Sequence, residues 1–169
     1  MNATPIGIAV LTVSDSRTIE TDTSGALLVE RLESAGHRLM GRELIADDMD
    51  ALRQQLTAWR DAPDIDVILT TGGTGLTGRD VTADIVASLG SKQIPGFGEL
   101  FRWLSFKDIG TSTIQSRALG VLMETTLCFS LPGSTGACRL AWDEILVNQL
   151  DSRTRPCNLV ALMPRFAER

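Results

Sequence analysis

The sequence predicts an α/β fold, a single three-layer domain in which a mainly parallel sheet carries helices on both faces. Three observations lead there. Short apolar runs at residues 6–13, 66–70 and 127–131, the first two rich in β-branched residues, have the continuous hydrophobicity of strands covered on both sides. Segments with apolar residues spaced by three and four alternate with those runs. The right-handed crossover rule then winds the connections over both faces of the sheet.

The elements follow in order. Residues 6–13 form the first strand, and the polar stretch Ser14, Asp15, Ser16, Arg17 ends it. From about Thr23 a helix presents Leu28, Leu32 and Ala35 on one face, with Gly36 where a C-terminal stop belongs. Residues 37–45 read as a second strand. Met49, Leu52, Leu56 and Trp59 recur at three, four and three, the inner stripe of a second helix that Pro63 closes. Residues 66–70 make a buried strand that opens directly into a glycine loop. Residues 81–89 leave room for about two helical turns before Gly90, and residues 93–96 read as no strand. The segment 95–120 reads as helical in pieces, around Phe97, Leu100, Phe101 and Leu104 and again over 116–121. After the strand 127–131 come Pro132, Gly133 and Ser134, then a helix carrying Ala137, Leu140, Ala141 and Ile145. Residues 159–163 add an edge strand.

Length and composition narrow the function. The 169 residues, 43% hydrophobic and 22% charged, fit one domain over residues 1–169 with a core that needs no staples. The three cysteines form no C-x-x-C pair, which argues against a disulfide framework or a zinc ribbon and for a reducing cytoplasm. No basic residue precedes Arg17, and the first apolar run is far shorter than the ~20 residues that cross a bilayer, so neither a signal peptide nor a membrane anchor is expected. A net charge of -5, from 16 basic and 21 acidic residues, argues against nucleic acid as a partner. Such a chain can still hold a small anion where backbone N–H groups, a few arginines or a metal supply local positive potential.

The glycine loop is the strongest such candidate. Gly72, Gly73, Gly75 and Gly78 let the backbone approach an anion closely, and Thr71, Thr74 and Thr77 add hydroxyl donors. A tight, ligand-free turn is the alternative. No G-K-[ST] follows, so this is not a Walker loop, and Gly73-x-Gly75-x-x-Gly78 lacks the long helix and acid-ended strand of a dinucleotide site. Asp80 suits either a helix N-cap or a magnesium ligand. Asp47 and Asp48 stand at the end of the second strand, one of them free to cap the next helix. Carboxylates facing an anion cradle repel its ligand unless a cation lies between, which argues for Mg²⁺. A second anion site is suggested at Pro132, Gly133 and Ser134, where Ser134 would serve equally as an ordinary N-cap. Ser116, Arg117 and Arg102 would add polar and positive groups, although each arginine alone reads as surface.

Taken together, residues 70–75 (TTGGTG), 79–82 (RDVT), 95–99 (PGFGE), 116–118 (SRA) and 131–134 (LPGS) resemble the MoaB/MogA family of molybdenum cofactor biosynthesis. The resemblance covers nearly the whole chain, and residues 104–113 and 152–158 look more like its MoaB branch. It implies a molybdopterin-binding α/β domain that assembles as a trimer or hexamer. In catalytically active relatives it implies transfer of AMP from Mg-ATP to the terminal phosphate of molybdopterin, with release of pyrophosphate. By motif position the family's functional aspartates fall on Asp47 and Asp80, and its glycine loop on Thr71, Gly72, Gly73, Thr74 and Gly75. Ala46 stands where many relatives have proline, which leaves Asp48 in contention. A carrier that binds the pterin without chemistry is the alternative within the same pathway. Residues 101–106 hold more large apolar groups than one helical stripe needs, which suits an interface between copies or added core packing.

Overall fold

The structure, a computed structural model, describes residues 3–168. Its centre is the strand β1 (Gly7–Val13), every residue of which is buried. Ile8 and Val10 point to one face and Ala9 and Leu11 to the other, so alternation along one strand feeds two cores. The chain then crosses through α1 (Thr23–Ser34) to β2 (Arg38–Ile45), and through α2 (Met49–Arg60) to β3 (Val67–Thr71). Next come α3 (Thr82–Leu89), β4 (Lys92–Ile94) and α4 (Pro95–Ile109), which runs into a 3-10 turn over Gly110–Gln115. The hairpin of β5 (Leu119–Met123) and β6 (Thr126–Leu131) leads to α5 (Thr135–Leu140). That helix widens to π turns over Ala141–Leu146 and ends as α6 (Val147–Gln149).

Six strands form one sheet in the order β2-β1-β3-β6-β5-β4. The first four are parallel, while β5 and β4 are antiparallel to their neighbours. On one face Leu28, Leu32, Phe97, Phe101 and Trp142 pack against Val67, Leu69 and Phe129. On the other, Leu52 and Leu56 of α2 and Ile85 and Val86 of α3 cover Ile68 and Cys128. Helices thus close both faces, and the carboxyl ends of β1, β2, β3 and β6 share one rim, where ligands of such sheets bind.

Three expectations are corrected. Residues 93–96 read as no strand, yet Lys92–Ile94 is β4, held by pairing with β5. Residues 116–121 read as helical, yet Leu119–Met123 is β5, paired on both edges. Residues 159–163 read as an edge strand, yet Val160–Arg165 is a 3-10 helix, and Asn158 Oδ1 before it accepts from Ala161 N at 2.9 Å.

Candidate functional site

The rim is organised by two loops that lean on each other. At the end of β3 the chain turns through Gly72 (φ 101°) and Gly73 (φ 65°), a left-handed conformation that favours glycine. The Gly72 N–H donates to Leu131 O at 3.0 Å, and a Cβ at Gly133 would stand 3.3 Å from Gly72 Cα. The glycine loop and the Pro132–Gly133–Ser134 loop are therefore two walls of one cavity of about 470 Å³. Gly72, Gly73, Thr74, Gly75, Asp80, Ser116 and the Pro132–Gly133–Ser134 loop line it. So do Phe101, Ser105 and Ile109 of α4 and Gln115 beyond it, which the sequence reading passed over. Ser105, a polar residue 6% exposed on an otherwise apolar helix face, was their available signal.

Several expected donors are committed to the protein itself. Thr71 points inward: its hydroxyl donates to Pro132 O at 3.0 Å and lies 3.2 Å from Cys138 Sγ, tying one loop to the other. Ser134 caps α5, accepting from Ala137 N at 3.1 Å, while still lining the cavity. The outer flank is a hydroxyl cluster that had no motif to announce it. Ser24 donates to Gly133 O at 3.1 Å, Thr23 and Thr135 lie 2.8 Å apart, and Arg17 donates to Thr23 at 3.3 Å.

Arg117 does not line the cavity. Its Nε donates to Gly75 O at 2.8 Å, one terminal nitrogen to Asp80 O, and the other to both oxygens of Asp84 at 2.8 and 2.9 Å. It fastens the two ends of the glycine loop to α3, with all three of its nitrogens engaged by the protein. Arg102 likewise donates to Ala118 O at 2.9 Å and supports the strand beside Ser116.

The aspartates separate by role. Asp48 is the N-cap of α2, with Oδ1 accepting from Ala51 N at 2.7 Å. Asp47 is left uncommitted: its N–H donates to Asp15 Oδ1 at 3.1 Å, and its own buried Oδ1 has no partner. Burial, and then the charge of Asp80, push the Asp47 carboxyl above the ordinary aspartate range. Asp80 is not the cap of α3, whose N-cap position is Val81. The Thr77 hydroxyl and N–H both donate to Asp80 Oδ2, at 2.6 and 2.9 Å. The Thr77 hydroxyl is the chief reason the Asp80 carboxyl lies below the usual range. One carboxylate is thus held ionised while its neighbour is strained towards the neutral form.

Among the described residues no group of three His, Cys, Asp or Glu gathers in a way that could hold a metal by itself. A magnesium ion commonly takes one or two protein carboxylates and completes its shell with waters and substrate phosphates, a donor set that Asp47 and Asp80 would fit. The unpaired Asp47 Oδ1 and the Asp47–Asp80 repulsion fit a cation there.

The family model described as "Probable molybdopterin binding domain" matches residues 9–152. The chain belongs to this molybdopterin-binding family. It is 48% identical over 154 residues to Molybdenum cofactor biosynthesis protein B of Escherichia coli (strain K12), covering 91% of each chain. To the protein of the same name from Bacillus subtilis (strain 168) it is 45% identical over 142 residues, covering 83% of this chain and 84% of that one. A crystal structure of a Molybdenum cofactor biosynthesis protein B superposes with a TM-score of 0.87 at 40% identity, covering 98% of both chains. The α/β fold and a role in molybdenum cofactor biosynthesis are thereby shown for this member of the molybdopterin-binding family. Among the described residues, no helix is long and apolar enough to cross a membrane.

Proposed function

We propose that this chain acts in the cytoplasm as a molybdopterin adenylyltransferase, moving AMP from Mg-ATP to the terminal phosphate of molybdopterin. An oxygen of that phosphate bonds to the α-phosphorus of ATP, the bond from that phosphorus to the bridging oxygen breaks, and pyrophosphate leaves with the electron pair. The observation that carries the reading is the Asp47–Asp80 pair beside a cavity lined by Gly72, Gly73, Thr74 and Gly75. Such a transfer demands little covalent chemistry of the protein; it needs two anions aligned and their charge neutralised. A magnesium ion held by Asp47 and Asp80 would supply that neutralisation. The backbone of Gly72, Gly73, Thr74 and Gly75 would bind one anionic group, with Ser116, Pro132, Gly133 and Ser134 aligning the other. Arg117 acts on the loop and not on the ligand.

A second reading, binding of the pterin without chemistry, is favoured by one observation: among the described residues lining the cavity there is no lysine or arginine. The assay that separates the two measures pyrophosphate release from Mg-ATP by purified protein, with and without molybdopterin. Release that needs molybdopterin and vanishes in Asp80→Asn supports the transferase. Tight pterin binding without release selects the carrier. The same proposal includes a homo-oligomer, trimer or hexamer. Its basis is α4, where Trp103 and Phe106 are 64 and 54% exposed.

A further inference from the structure

Six buried side-chain polar atoms lack a partner among the described residues, and four of them belong to Asp47, Thr70, Thr82 and Ser130. Thr70 and Ser130 face each other across β3 and β6, two residues beyond Ile68 and Cys128 and hence on the sheet face that α3 covers. Thr82 is the first residue of α3 and is fully buried. Its N–H donates to Gly73 O at 3.0 Å. Its hydroxyl does nothing comparable.

The absent side chain of Gly73 shows where that hydroxyl faces. A Cβ at Gly73 would overlap Thr82 Oγ1 and stand 3.2 Å from Asp47 Oδ1. The two unpartnered oxygens therefore border one spot beside the Gly73 backbone. One can only accept when ionised, and the other carries a proton to donate. Leaving both unpaired is costly: a buried polar group without a partner forfeits about 1–3 kcal/mol. A carboxylate that holds a cation with one oxygen commonly has its other oxygen fixed by a donor from the surrounding protein.

We infer that Thr82 is a positioning residue for Asp47: when a divalent cation keeps the Asp47 carboxylate ionised, the Thr82 hydroxyl closes the gap beside Gly73 to donate to Oδ1 and so turns Oδ2 towards the cation. The inference rests on the cation reading given under Proposed function. Glycine at position 73 serves the same end, because any larger residue would fill the gap between the two oxygens.

The test is a titration of the purified full chain with Mn²⁺ alone, followed by electron paramagnetic resonance, with no nucleotide or pterin present. Thr82→Val keeps the shape and removes the donor; Thr82→Ser keeps the donor; Asp47→Asn removes the acceptor charge. The expected result is about 10- to 100-fold weaker Mn²⁺ binding in Thr82→Val, binding within about threefold of wild type in Thr82→Ser, and no further loss when Thr82→Val is added to Asp47→Asn. Thermal melts of each variant, with Thr82→Ala as a second donor-free form, show that the comparison is between folded proteins. Equal Mn²⁺ affinity in wild type and both donor-free variants overturns the role of Thr82 and leaves the cation reading standing. Absence of Mn²⁺ binding by the wild-type chain overturns the cation reading and this inference with it.

Discussion

Replacing Gly73 by alanine tests the geometry of the glycine loop most directly. Two costs add. The backbone at φ 65° lies in the left-handed region, where a Cβ costs about 1–2 kcal/mol. The new methyl also overlaps Thr82 Oγ1 and sits 3.1 Å from Thr82 Cβ, an overpacking of the kind that costs about 1–3 kcal/mol. Gly73→Ala should therefore lose about 2–5 kcal/mol of unfolding free energy, a large share of the roughly 5–15 kcal/mol typical of a domain. The two terms are separable, because the overlapping atom is a side chain. Adding Thr82→Ala removes the hydroxyl and should restore most of the packing share, the 3.1 Å approach to Cβ remaining, while leaving the backbone share. Gly136→Ala is the control: nothing lies within 4 Å of its Cβ position and its φ is not positive, so it should cost less than about 1 kcal/mol. Urea unfolding followed by circular dichroism, with an unchanged slope required for comparison, reads all four proteins. A loss below about 1 kcal/mol in Gly73→Ala, or no recovery in the double variant, would refute the reasoning.

The remaining predictions concern charge, reactivity and assembly. Asp80→Asn removes the lesser of the two causes that raise Asp47, so the Asp47 carboxyl should titrate lower than in wild type yet still above an ordinary aspartate; carbon-13 carboxyl NMR reads the shift, and an upward move contradicts it. The linkage sign follows: a carboxyl raised in the fold favours folding at pH values below that window, and the benefit is lost as pH rises through the raised pKa. Arg117→Met strands the carbonyls of Gly75 and Asp80, at about 1–3 kcal/mol each if they stay dry, and should speed amide exchange across residues 72–80 while leaving α1 unchanged. Of the three thiols, only exposed Cys157 should react promptly with a disulfide reagent in the folded protein, since burial pushes Cys138 up to about 11 and Cys128 higher still. Trp103→Ser with Phe106→Ser should shrink the assembly on a sizing column without lowering the yield of folded chain; an unchanged size moves the interface elsewhere.

How much of this was legible in the sequence depended on which force shapes each segment. The strands β1, β3 and β6 announce themselves because helices cover both of their faces, so burial demands unbroken apolar runs. β4 carries no such signature: Lys92 and Gln93 are exposed, and Pro95 follows at once, so only its pairing with β5 makes it a strand. The β5–β6 hairpin turns at Glu124 with φ 57°, without the Asn-Gly or Asp-Gly pair that marks such turns, so nothing in the sequence separates β5 from the helical pieces before it. Residues 159–163 were ambiguous in principle, because a short apolar run fits a strand and a buried turn of helix equally well.

At the site, the sequence showed which residue types gather but not the direction in which each side chain spends its hydrogen bonds. Asp47 and Asp48 are chemically identical neighbours, and only the capping bond of Asp48 to Ala51 N separates the one that holds a helix from the one left over. Arg117 is expected, beside Ser116, to add positive charge for an anion, yet its guanidinium is taken up by two carbonyls and the Asp84 carboxylate. These two facts share a cause. In a chain of net charge -5, backbone N–H groups can provide anion-binding potential only where the loop conformation is held. Arg117 holds it from outside, Thr71 from beneath, and the missing side chains of Gly72 and Gly73 allow it. Positive charge is thus spent on shaping the cradle, and the buried Asp47 Oδ1 left without a partner at its edge is the group that the proposed cation would satisfy.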